Sequence, residues 1–118
     1  MSHLRIPTLP TTQADQLQFV GELEQIPEAV RWAVDHGANV INMSLGSNAT
    51  GWPPAWDSAF AYAEEKDVLV VAAAGNSNID VAGTYPASCN GVISVAASNK
   101  SGARSSYSSW GASIDITA

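Results

Sequence analysis

The sequence predicts an α/β domain in which a parallel central sheet carries helices on its faces. Two strand-length apolar runs, Val40 to Leu45 and Val68 to Ala74, each follow a stretch whose apolar residues recur at helical spacing. Strands joined through helices pair in parallel, because a hairpin cannot return the chain in the same direction. The second run is apolar without alternation, which predicts burial on both sheet faces. At 118 residues the chain fits a single domain burying roughly two thirds of its unfolded surface.

Residues 1 to about 20 read as a leader of unassigned structure, since Pro7, Pro10 and a Thr/Gln/Asp cluster interrupt any periodicity. The domain proper is expected over 21–118. In "IPEAVRWAVDHG" Pro27 suits a first helical turn, Ile26, Ala29, Val30, Ala33 and Val34 share one face, and Gly37 suits the left-handed stop. Val40 to Leu45 follows as a strand, and the loop "GSNATGWPP" breaks the chain before a second helix with Trp56, Ala59, Phe60 and Ala63 on its apolar face. Val68 to Ala74 is the second strand and "GVISVAAS" the third; Ser77 to Asn90 is a loop with turn chemistry. "SSYSSWG" and "SIDIT" are expected as short extended pieces at a sheet edge.

Composition excludes several function classes. A net charge of −6 with only five Lys and Arg spread along the chain makes no basic patch for nucleic acid. No apolar run approaches the ~20 residues that span a bilayer, and "MSHLRIPTLPTTQADQ" lacks the apolar centre of a signal peptide, so no membrane partner is expected and the location is open. Cys89 is the single cysteine, without an internal disulfide partner or metal-ligand spacing, and reads as a structural thiol. His36 reads as a helix-end capping residue and His3 as part of an unstructured leader.

Ligands of open parallel sheets gather at the carboxyl ends of the strands, which draws attention to Ser44-Leu45-Gly46 and to Gly75-Asn76-Ser77, just after Ala72, Ala73 and Ala74. The alanines leave space beside the strand, and Gly75 allows a sharp turn. The uncharged amide of Asn76 can aim an N–H donor with no titration of its own. Acyl transfer needs such a donor, because its tetrahedral intermediate places negative charge on the former carbonyl oxygen. A turn asparagine satisfies the same local pattern.

The motifs together say more. "VINMSLG", "VVAAAGN", "YPAS", "VISVAAS", "SSYSSWG" and "IDITA" run in an order and spacing that resembles the subtilisin-like serine proteases, from about Gly21 to Ala118. That resemblance implies a three-layer α/β/α fold, here incomplete, and peptide-bond hydrolysis on an extended polypeptide. It implies that Ser44-Leu45-Gly46 pair with the substrate backbone and form one pocket wall, that Ala73-Ala74-Gly75 form the other, and that Asn76 is the side-chain oxyanion donor. Asp115 resembles a carboxylate that binds a cation in some relatives, with carbonyls that would here belong to about Asn90 and Val92. An oxygen cage with one carboxylate suits Ca²⁺ or Na⁺, the alternative being a turn-capping aspartate. No cofactor is required by this reading, and the family is commonly extracellular.

The family's Asp, His and Ser signatures are not in these 118 residues: there is no Asp-Thr/Ser-Gly segment, no "HGTH" and no "GTSMA". The expectation is therefore a central fragment of the peptidase domain, inactive in isolation. The alternative is a non-catalytic, pseudoprotease-like module that binds peptides. "NMSLG" does not make an α/β-hydrolase elbow, since Asn42 replaces the first glycine and no His follows position 36. Strand edges meant for further strands are expected to invite self-association.

Overall fold

The computed structural model describes residues 3–5, 18–20, 25–48 and 51–118. His3–Arg5 (β1) and Gln18–Val20 (β2) pair antiparallel. His3 thus lies in a paired strand and not in an unstructured leader; most of the remaining leader falls outside the described residues. The sheet that positions the site comprises Val40–Met43 (β3), Leu69–Ala73 (β5), Val92–Ala96 (β7) and Ile116–Thr117 (β8), all parallel, in the order β3-β5-β7-β8. Two short strands, Ser47–Asn48 (β4) and Thr84–Tyr85 (β6), pair antiparallel outside it.

Helix α1 spans Ile26–Asp35 and buries Ile26, Pro27, Val30 and Val34, the stripe its periodicity requires. It stops where His36 and Gly37 fold their N–H groups back on Trp32, Ala33 and Val34 carbonyls. His36 also reaches the Trp32 carbonyl through Nδ1 at 2.8 Å and stacks on the Trp32 ring, a role at the helix end as its position suggests. Helix α2, Pro54–Glu65, buries Trp56, Ala59, Phe60 and Ala63. Its end is closed by Asp67 at positive φ and by Val68 N–H donating to Ala63 O at 2.8 Å.

Both helices pack on one face of the sheet. Met43, Val70, Ala72 and Val92 join the α1 and α2 stripes in a single cluster. The opposite parity is open: Val40 is 59% exposed, Leu69 47% and Ile116 57%, with Val71, Ile93 and Val95 only half-buried. The continuous apolar run of β5 was expected to be covered on both faces; among the described residues only one is. The run is apolar on its second face because that face is built to be covered, and no described element reaches it.

Two further expectations change. The strands end earlier than the apolar runs, at Met43 and Ala73, because the residues that follow leave the ladder to line a cleft. "SSYSSWG" is an irregular loop with one turn at 106–107 and one isolated bridge, Trp110 to Asp80, and not a strand. "SIDIT" does deliver the edge strand β8.

Cys89 is buried at 4% exposure in the main core. Burial, aided by the nearby Asp57 charge, pushes its thiol up from 9.0 to about 12. The neutral thiol is thus favoured by folding. Between pH 9 and about 12 the unfolded chain loses this proton first, so stability from this group is intact below pH 9 and declines above it. A thiol reagent at pH 8 should modify the folded chain far more slowly than the urea-unfolded chain; equal rates would contradict this burial.

Candidate functional site

The carboxyl ends of β3 and β5 open into one cleft of about 330 Å³. Its lining includes Ser44, Leu45 and Gly46 on one side and Ala73, Ala74, Gly75 and Asn76 on the other. Parallel neighbours deliver their ends to the same side of a sheet, and the register aligns Met43 with Ala72, so the two segments emerge together.

Each wall has a local reason. Ser44 to Gly46 have left the β3 ladder, which frees their backbone groups toward the cleft. Asn42 Nδ2 donates to Ser44 Oγ at 3.3 Å, steadying the exit. A Cβ on Gly46 would stand 2.9 Å from the Tyr85 carbonyl oxygen, so this position requires glycine for the chain to pass β6. Across the cleft Ala74 is buried and its N–H donates to Val95 O at 2.8 Å, while Gly75 turns at φ +103. Asn76 follows immediately, exposed at the cleft. Among the described residues its side-chain amide has no hydrogen-bond partner. An exposed, uncommitted donor is what a ligand oxygen would meet there.

Sequence reasoning missed the cleft's end. Ser47, Asn48, Thr84 and Tyr85 complete the lining, and Asn48 Nδ2 donates at 3.3 Å to Oγ of Ser77, a residue already expected at the strand end. The pairing of Ser47 with Tyr85 and Asn48 with Thr84 closes the cleft. Two-residue strands carry no periodicity, so only the coincidence of "GSN" and "TY" as loop segments was visible.

Asp115 lies elsewhere. Its Oδ2 accepts the Ser94 N–H at 2.8 Å, and its own N–H donates to Ser94 O at 3.0 Å, so it clasps β7 just before β8 begins. One carboxylate oxygen is thereby engaged. Asn90 is exposed in the turn before β7, and Val92 opens β7 with its N–H on Cys89 O. Among the described residues no three His, Cys, Asp or Glu side chains gather as a metal cluster, so any cation here would depend on carbonyls.

The fold and cleft define a class: a parallel α/β domain that presents two loop walls and an amide donor at its strand ends. The family model described as the subtilase family matches residues 15–118, and the chain belongs to that family. It is 38% identical over 108 residues to an extracellular protease of Xanthomonas campestris pv. campestris, covering 83% of this chain and 18% of that protein. It is 37% identical over 98 residues to a thermostable alkaline protease of Halalkalibacterium halodurans, covering 83% and 26%. A crystal structure of a cold-adapted subtilisin-like serine proteinase superposes with a TM-score of 0.73 at 36% identity, over 84% of this chain and 36% of that one. The chain thus spans about a fifth to a third of the length of these relatives.

Proposed function

We propose that this chain forms one side of the substrate cleft of a serine endopeptidase, with Asn76 donating to the oxyanion of the tetrahedral intermediate. The observation that carries this reading is the meeting of Ser44–Gly46 and Ala73–Asn76 around one cleft, with the Asn76 amide uncommitted. An extended polypeptide adds its backbone beside Ser44–Gly46, and the side chain preceding the scissile bond enters between the two walls. As a nucleophile attacks, charge develops on the carbonyl oxygen, and a fixed amide N–H stabilises it more than it stabilises the ground state. The nucleophile and its base are contributed by groups outside these 118 residues. An extracellular setting belongs to this reading, by analogy with the Xanthomonas relative's name.

We propose by the same resemblance that Asp115, with the carbonyls of Asn90 and Val92, would hold Ca²⁺ or Na⁺. That role would be structural, and no step of the peptide chemistry runs through it.

The test is to place residues 25–118 in the matching stretch of a complete subtilase domain and assay cleavage of an extended peptide. Retained turnover supports the reading; a folded chimera that binds peptide without cleaving it sinks it. The same two walls would also serve a second reading, a non-catalytic peptide-binding module, because binding an extended peptide in this cleft needs no nucleophile. A titration of the 118-residue chain showing no affinity for extended peptides removes that one.

Self-association through the open sheet is part of the same proposal. Val40, Leu69 and Ile116 expose apolar surface on one face, which a second copy would cover. Sedimentation of the 118-residue chain should show concentration-dependent association, and Leu69→Lys should shift it toward monomer. A wild-type monomer at all concentrations would contradict this.

A further inference from the structure

The turn that carries Asn76 touches Asn48 through Ser77 and takes its backbone hydrogen bonds from a second segment. Asn78, two residues on, has φ +51, a left-handed conformation that asparagine tolerates better than most residues with a side chain. The holding groups lie in residues 104–110. Ser109 N–H donates to Gly75 O at 2.9 Å, Asn78 N–H to Tyr107 O at 3.1 Å and Trp110 N–H to Ile79 O at 3.0 Å. These bonds join two loops, and neither loop belongs to a regular sheet.

One side chain ties both loops together. Arg104 Nη1 donates to Asn78 Oδ1 at 2.9 Å and to Ser108 O at 2.7 Å, with a weaker contact to Ser105 O at 3.3 Å. These acceptors are carbonyl and amide oxygens, so the guanidinium serves geometry and not charge neutralisation. Bonds from an ionised donor to neutral oxygens are stronger than neutral pairs. Ser108 itself is fully buried and its Oγ accepts the Ala97 N–H at 2.9 Å, which anchors the holding loop to the chain leaving β7.

We infer that Arg104 is a positioning residue for Asn76: by clamping Asn78 against Ser108 it fixes the turn from which the Asn76 amide reaches the cleft. The inference rests on the oxyanion reading of Asn76 for its functional meaning, but its structural content stands apart.

The experiment uses the isotope-labelled 118-residue chain and amide hydrogen exchange. In Arg104→Met, the amides of Asn78, Ser109 and Trp110 should exchange about tenfold faster or more, as expected for loss of a charge-assisted bond. The amides within β5 and β7, and that of Val68, which donates to Ala63 O of α2, should exchange as in the parent. The side-chain amide signals of Asn76 should shift, and Arg104→Lys, which keeps one donor, should recover part of the protection. Asn78→Gly removes the acceptor while tolerating the positive φ. It should loosen the same three amides, and adding Arg104→Met to it should contribute little more to the loosening at Asn78. Unchanged protection at those amides overturns the inference, as does equal acceleration in loop and strands. Should Arg104→Met fail to fold, Asn78→Gly against the parent decides it by the same readout. If the loop loosens as stated while Asn76→Ala leaves turnover of the chimera intact, the oxyanion reading falls and the clamp remains.

Discussion

In a complete catalytic domain carrying residues 25–118, Asn76→Ala lowers kcat by about 10²- to 10³-fold and leaves KM nearly unchanged. The magnitude is the one known for loss of a side-chain oxyanion donor in a subtilisin. The split follows from when the bond forms. A donor that engages only the developing oxyanion adds nothing to ground-state binding, so its loss appears in kcat. Asn76→Asp keeps the shape but replaces the donor by a carboxylate that repels the oxyanion, and should fall at least as far. Steady-state kinetics on a peptide substrate measure both; a kcat within twofold of the parent for Asn76→Ala removes Asn76 from the chemistry. The exposed position of Asn76 makes a folding artefact easy to recognise, because thermal unfolding should hardly move.

The second large effect is on stability. Trp56→Ala should cost about 3–5 kcal/mol, a large share of the ~5–15 kcal/mol that holds a domain of this size. Trp56 is 1% exposed at the centre of the core, with its ring 6.0 Å from Phe60 and 5.0 Å edge-on to Tyr85. Truncation leaves a cavity between α2 and the segment that closes the cleft. The Tyr85 carbonyl is also the atom that Gly46 passes, so the loss should reach the cleft as well as the core. Urea unfolding reads the stability change, and Trp56→Phe should recover a good part of it. A cost below ~1 kcal/mol would mean that the site collapses around the missing ring.

Much of the fold was legible because periodicity reports burial directly. Of the expected stripes the structure buries Ile26, Val30 and Val34 in α1 and Trp56, Ala59, Phe60 and Ala63 in α2, and leaves Ala29 and Ala33 half-buried. The walls of the cleft were legible for a related reason. Small residues at the ends of apolar runs, as in "MSLG" and "AAAGN", mark where a buried strand gives way to open space.

What failed to show in the sequence depends on contacts between segments distant along the chain. Strand ends were placed too late at Leu45 and Ala74, since hydropathy continues past the point where pairing stops. "SSYSSWG" was expected as an extended edge piece, but Ser105, Ser108 and Ser109 are buried there, Ser105 N–H and Ser108 Oγ bonding Ala97 and Ser109 N–H bonding Gly75 O in the Asn76 loop.

By itself, then, the amino-acid order determined the element types, the parallel α/β class and the small residues at the ends of the apolar runs, because each follows from local spacing and side-chain size; two facing walls with Asn76 beside one of them were implied by the family resemblance. Only the tertiary structure decided that both helices share one face, that β4 and β6 close the cleft, and that Arg104 clamps Asn78. Those outcomes rest on pairings such as Asn48 with Thr84 and Arg104 with Asn78, whose geometry comes into being only when the fold brings their segments side by side.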